Sequence, residues 1–192
     1  MLNWLDFIGA SLSLISTYYF TQAKRIAWLI GIAAIVLNIF LYAQKGIYGH
    51  LLLEGIYFIS MIIGIIQWSQ GTTKNKVLAI RSLRLKEACF YSIFAFCVIL
   101  LLAQGLIRFT NSDIPYWDAT TTVLCLLAQW LLCLKVIHCW ILWFIVDAMV
   151  ATLQLYKGIP FHSAIHWMYL IMAIMGYYRW HKIANNPQHA FI

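Results

Sequence analysis

Residues 139–162 read CWILWFIVDAMVATLQLYKGIPFH, and residues 27–50 read AWLIGIAAIVLNIFLYAQKGIYGH. Laid over each other at an offset of 112, they share Trp28 with Trp140, Leu41 with Leu153, Lys45-Gly46-Ile47 with Lys157-Gly158-Ile159, and His50 with His162. Outward from this stretch the register holds without a gap. Asp6 meets Asp118, Tyr57 meets Tyr169, Gly64 meets Gly176 and Trp68 meets Trp180, so that 14 of 63 aligned pairs are identical. Apolar letters coincide by chance, but matched Asp, Trp, Lys-Gly and His are rare letters, and the chain reads as a duplication.

The composition says what is duplicated. Of 192 residues, 64% are hydrophobic and 10% charged, with mean hydropathy +0.82. Soluble domains carry roughly 25% charged residues, so the sequence is that of an integral membrane protein. Seven runs approach the ~20 apolar residues that a bilayer crossing needs: 4–20, 26–43, 48–68, 88–107, 119–136, 139–156 and 161–180. Lipid offers no partners to backbone polar groups, so each run is expected to be a helix. The fold expected is all-α, seven transmembrane helices in a 3+1+3 order. Residues 1–68 form a first three-helix repeat, 69–117 a basic cytoplasmic loop and linker helix, 118–180 a second repeat, and 181–192 a cytoplasmic tail. Three spans plus one make four crossings, so the repeats run parallel, a plan used by transporters with a site at the repeat interface. The connector Ser69–Glu87 is expected to hold a surface helix leading into the fourth span.

The net charge of +7 raises the question of nucleic acid. The basic residues sit between apolar runs and not along one polar face, which excludes that reading. Ten fall on one side of the spans (Lys24, Arg25, Lys74, Lys76, Arg81, Arg84, Lys86, Lys135, Arg179, Lys182) and three on the other (Lys45, Arg108, Lys157). The positive-inside rule then puts the N-terminus outside and the C-terminus in the cytoplasm. Met1–Asp6 lacks the basic start of a secretory signal. The five cysteines have no C-x-x-C spacing and read as small packing residues. No Walker A loop, H-E-x-x-H or G-x-S-x-G is present, so neither an ATP-driven pump nor an enzyme is expected, and no cofactor.

Ionisable or amide groups inside a span are candidates for function. Trp140, Trp143 and Asp147 are spaced i, i+3, i+7 and share one helical face. Gln129 lies mid-span in the fifth run and Asn38 in the second. Two flat aromatics, an acid and amides suit a flat, polar, cationic ligand through stacking, cation–π contact and hydrogen bonds. The same tryptophans also suit a membrane interface, and the polar groups helix–helix contacts. No basic residue neighbours Asp147 in sequence, which argues against a fixed salt bridge there. Glu54 and His166 are equivalent in the two repeats, and their symmetry suggests an ion pair or a shared path, with Tyr57, Tyr169 and Trp28 along it. The pairs His50/Glu54 and His162/His166, each i, i+4, are an alternative metal-ligand set. Gly46, Gly158 and Pro160 between spans, and Gly64 and Gly176 within them, are candidate hinges.

W-x-x-W-x-x-x-D at Trp140, Trp143 and Asp147 resembles the W-x-x-W-x-x-x-N/D motif of the Pnu-type vitamin transporter family. Ala128-Gln129, Lys157-Gly158 and Gly176-Tyr177-x-x-Trp180 agree with it, over nearly the whole chain. The resemblance implies a fold similar to the SWEET sugar transporters and facilitated diffusion, by alternating access, of an unphosphorylated vitamin precursor across a bacterial inner membrane. Nicotinamide riboside is the first expectation and thiamine the second. It also implies that Trp140, Trp143, Asp147, Gln129 and Asn38 line the substrate site. The partners expected are this small molecule and the lipid bilayer, with the oligomeric state, monomer or homo-oligomer, left open.

Overall fold

In the computed structural model, residues 2–45, 48–70, 78–156 and 160–185 are described. Among them the chain forms seven helices: α1 (Leu2–Thr21), α2 (Ile26–Lys45), α3 (Tyr48–Gln70), α4 (Leu85–Phe109), α5 (Pro115–Cys133), α6 (Cys139–Tyr156) and α7 (Pro160–Asn185). Each apolar run has become a helix. The helices α4 and α6 are each long and apolar enough to cross a bilayer, and Ile26–Leu41 and Leu53–Ser69 are shorter apolar stretches. Lys45-Gly46-Ile47 and Lys157-Gly158-Ile159 lie wholly or in their side chains outside the described residues, as do the side chains of Asp6, His50, Pro160 and His162.

The offset of 112 reappears in the backbone. The turns α1–α2 and α5–α6 each contain one non-glycine residue in the left-handed region, Ala23 (φ 56°) and Lys135 (φ 51°), and these are equivalent positions. In the first turn the N–H of Ala23 bonds the carbonyl of Phe20, and that of Lys24 the carbonyl of Tyr19. In the second, Lys135 bonds Leu132 and Val136 bonds Leu131. This is the Schellman pattern, in which a left-handed residue satisfies the last carbonyls of a helix. It ends α5 at Cys133, three residues before the apolar run stops.

The core lies at this end of the bundle. Trp28, Trp68 and Trp180 are fully buried, and Trp140 nearly so. Trp28 meets Trp68 edge-on at 5.2 Å and 86°, and the equivalent pair Trp140 and Trp180 meets at 5.5 Å and 88°. Trp28 packs on the bare face of Gly64, and Trp140 on that of Gly176. A side chain at either glycine would occupy the indole's space, so both serve as seats for a tryptophan.

Two helix triplets, α1–α3 and α5–α7, are joined through α1 against α7 and α3 against α5. Trp68 Nε1 on α3 donates to the Cys133 carbonyl on α5 (3.1 Å), and Trp180 Nε1 on α7 donates to the Phe20 carbonyl on α1 (2.9 Å). Tyr57 on α3 lies beside Cys125 on α5, and Tyr169 on α7 lies beside Ser13 on α1. Ser13 and Cys125 are again equivalent, 112 residues apart. Each triplet thus hands the same two aromatic groups to the other.

Among the described elements α4 packs against α5 alone. It leaves Phe90, Ile93, Phe94, Phe96 and Leu101 exposed, an apolar exterior suited to lipid. The surface helix expected before it is absent from 78–84. Those residues run extended, and the N–H of Arg81 bonds the Lys135 carbonyl (3.0 Å) while the N–H of Ile137 bonds the Arg81 carbonyl (3.0 Å). Leu78, Ile80 and Leu83 pack against the aromatic core. The strand-like period of Leu78 and Ile80, together with unpaired backbone groups on the α5–α6 turn, outweighs helix formation here. Lys135 in that turn is buried, with Nζ 4.5 Å from the centre of a Trp68 ring. Burial and then the charge of Arg25 push its ammonium down to about 8.

Candidate functional site

Above the aromatic core the helices diverge around a cavity of about 400 Å³. Five of its wall positions are Trp140, Trp143, Asp147, Gln129 and Asn38, and four more are Glu54, His166, Tyr57 and Tyr169. The sequence pattern placed these nine residues inside spans, and the structure brings them to one space. Trp28 is not among the lining residues; it lies in the core between Phe20 and Trp68. Phe20, Leu132 and Trp140 belong to both core and cavity, so the aromatic cluster closes the cavity at the end that carries the α1–α2 and α5–α6 turns.

The helical period explains the convergence on α6. Trp140, Trp143 and Asp147 lie on one stripe, and that stripe faces the cavity. Gly31 on α2 is the equivalent of Trp143; it also lines the cavity, but where α6 carries a ring it is covered by Met61 and Ser16, whose atoms would lie about 3.0 Å from a Cβ. Asn38 is approached by Gly9 of α1, where a Cβ would fall 2.6 Å from Oδ1.

The polar groups are tied in pairs. Asn38 Nδ2 donates to Glu54 Oε1 at 3.0 Å, linking α2 to α3. His166 Nδ1 lies 2.8 Å from Asp147 Oδ1, linking α6 to α7. Gln129 is buried and donates from Nε2 to Ser60 Oγ at 3.0 Å, linking α5 to α3. Two expectations change. Glu54 and His166 do not pair with each other; each is held by the middle helix of its own triplet. Asp147 does have a basic partner, 19 residues on in sequence and one helix away, which local inspection of the α6 run does not show.

Ser13, Ser16 and Thr17 on α1 and Cys125 on α5 also line the cavity and were missed. Their spacing on α1 (i, i+3, i+4) marks one face, and Ser13 with Cys125 is a match at the 112 offset between two small polar side chains. Among the described residues no group of three or more His, Cys, Asp or Glu is arranged to hold a metal. Of the four alternative metal ligands, Glu54 and His166 are engaged as above, while the side chains of His50 and His162 lie outside the described residues.

A seven-helix bundle with an apolar exterior, enclosing a space lined by acids, amides, hydroxyls and indoles, has the form of a polytopic membrane carrier. The comparisons give the family. The family model described as nicotinamide mononucleotide transporter matches residues 3–182, and the chain belongs to that family. It is similar to the nicotinamide riboside transporter PnuC of Escherichia coli (strain K12), 26% identical over 210 residues, with 96% of this chain and 88% of the relative covered. The protein of the same name from Shigella flexneri matches to the same extent. A solved structure described as the crystal structure of the vitamin B3 transporter PnuC superposes with a TM-score of 0.76 at 21% identity. That superposition covers 95% of this chain and 82% of the other, and it shows the fold.

Proposed function

We propose that the chain is an inner-membrane uniporter for nicotinamide riboside, working by alternating access around this cavity. The observation that carries the reading is the convergence of Trp140, Trp143, Asp147, Gln129 and Asn38 on one cavity between the two triplets. A volume of about 400 Å³ falls within the range of roughly 300–1,000 Å³ of small-molecule sites. The indoles offer flat surfaces for a pyridinium ring, and cation–π attraction favours its charge. The carboxyl, amide and hydroxyl groups offer partners for a ribose and a carboxamide. The names of the curated relatives favour this substrate over other aromatic cations.

In the proposed architecture, α1–α3 and α5–α7 are two parallel repeats joined by α4, in a 3+1+3 SWEET-like order. The matched turns, tryptophan seats and exchanged contacts support it. Rocking of one triplet against the other would open the cavity to either side in turn. The ten basic residues on one side support a cytoplasmic C-terminus. The test is ligand binding by the purified protein, read from tryptophan fluorescence and thermal shift, with thiamine and riboflavin as comparators. Nicotinamide riboside should quench and stabilise most, and Trp143→Ala and Asp147→Ala should each weaken it. No response to nicotinamide riboside in either assay refutes the proposal.

A further inference from the structure

Two carboxyl groups face the cavity, and their surroundings differ in a way that assigns them different work. Asp147 is buried, and its oxygen lies 2.8 Å from the imidazole Nδ1 of His166. Glu54 is half-buried. Its Oε1 accepts one bond from an amide, Asn38, and Oε2 has no hydrogen-bond partner among the described residues. Among the described residues the other titratable groups on the wall are Tyr57 and Tyr169 on α3 and α7 and Cys125 on α5, and no described Lys or Arg lines it. Tyr57 and Tyr169 each lie within electrostatic reach of both carboxyl groups, so both acids act on the same space. Asp147 has a side chain beside it that can take a positive charge, whereas Glu54 has a neutral one.

We propose that Glu54, on α3, is the residue that selects a positively charged ligand, while Asp147 and His166 together form a hydrogen-bonding pair that does not discriminate by charge. Glu54 and His166 occupy equivalent positions in the two triplets. The duplicated frame therefore presents an acid at one wall and a base, already engaged by an acid, at the facing position. A buried charge without a counter-ion is unfavourable in an apolar surround, and a ligand cation is the group that relieves it at Glu54. With the ring's face on the indoles of α6, its charged edge is drawn toward Glu54 on α3, and the neutral hydrogen-bonding groups of the ligand are left for Asp147 and His166.

This inference rests on the vitamin-cation reading above, and its test separates the two. Affinities of nicotinamide riboside and of its uncharged 1,4-dihydro form are measured on the purified protein for wild type, Glu54→Gln, Glu54→Asp and Asp147→Asn. Loss of one charge-assisted contact corresponds to about tenfold or more in affinity. Glu54→Gln should weaken the cation by about tenfold while changing the neutral form by less than about threefold, with partial recovery in Glu54→Asp. Asp147→Asn should leave the ratio of the two affinities unchanged. If Glu54→Gln weakens both forms equally or neither, or if the ratio shifts in Asp147→Asn instead, the assignment of charge selection to Glu54 is overturned. If wild type binds the neutral form and not the cation, both this inference and the substrate reading fall.

Discussion

Gly176→Ala tests whether the tryptophan seats are as tight as the structure requires. A Cβ at this position would lie 2.5 Å from Cδ2 and Cε2 of Trp140 and 2.7 Å from Cε3. Carbon atoms pack favourably at about 3.5–4.0 Å, so the indole would have to retreat by about 1 Å. Trp180 meets the indole edge-on, and yielding toward the cavity that Trp140 also lines would give up that contact. Overpacking of this kind costs about 1–3 kcal/mol. Against it stands the helix preference for Ala over Gly, about 1 kcal/mol. Gly105 on α4 and Gly55 on α3 have no atom within 4 Å of a built Cβ, so their alanine variants receive the helix term alone. Gly176→Ala should therefore be less stable than Gly105→Ala by about 1–3 kcal/mol. The assay is equilibrium unfolding in mixed micelles, followed by tryptophan fluorescence. Adding Trp140→Phe should recover part of the loss, giving a coupling of about 1 kcal/mol in a double-mutant cycle. Gly64→Ala with Trp28→Phe should repeat the pattern. Equal stability of Gly176→Ala and Gly105→Ala, or strict additivity in the cycle, would refute the reasoning.

Trp68→Phe and Trp180→Phe each remove the indole donor from a carbonyl of the opposite triplet, and should each lower unfolding free energy, by about 1–3 kcal/mol at most; the loss should be smaller for Trp180→Phe, because the Phe20 carbonyl keeps the Ala23 N–H. Arg81→Pro removes the N–H that bonds the Lys135 carbonyl, so residues 78–84 should release from the α5–α6 turn and be cut faster in limited proteolysis, whereas Arg81→Ala should be cut at nearly the wild-type rate. Lys135, pushed down to about 8 from 10.5 by burial and Arg25, binds fewer protons folded than unfolded between those values. Stability should accordingly rise with pH across that window, and Lys135→Met should flatten the rise in a pH series of unfolding midpoints.

Helix positions were legible because an apolar run of span length admits one backbone solution in lipid. The run 139–156 became α6 with the same bounds. The run 119–136 did not, since hydropathy is blind to the left-handed Lys135 that stops α5 at Cys133. The connector shows the opposite limit. The connector reads as a surface helix from its Lys-rich start and scattered apolar residues until the carbonyl of Lys135 is known to lie beside Arg81. In the cavity, α6 announced itself through a one-face stripe, and Gln129 and Asn38 through their cost in lipid. The pairing of Asp147 with His166 was hidden because it depends on how α7 is rotated against α6. Trp28 was drawn toward the cavity by its equivalence with Trp140, yet only the second of these two indoles reaches the wall.

The exchanged aromatic contacts have a genealogical reading. Residue 68 reaches residue 133 and residue 180 reaches residue 20, while residue 57 reaches 125 and residue 169 reaches 13. A surface that contacts its own copy in this reciprocal way is the signature of a two-fold, isologous dimer. On the proposed 3+1+3 architecture, the contacts between the triplets resemble those by which two separate three-helix chains would hold each other. In such a dimer both subunits would carry the same residue at positions 54 and 166. A single chain that carries both triplets holds an acid at one position and a base at the other, a divergence unavailable to any homodimer.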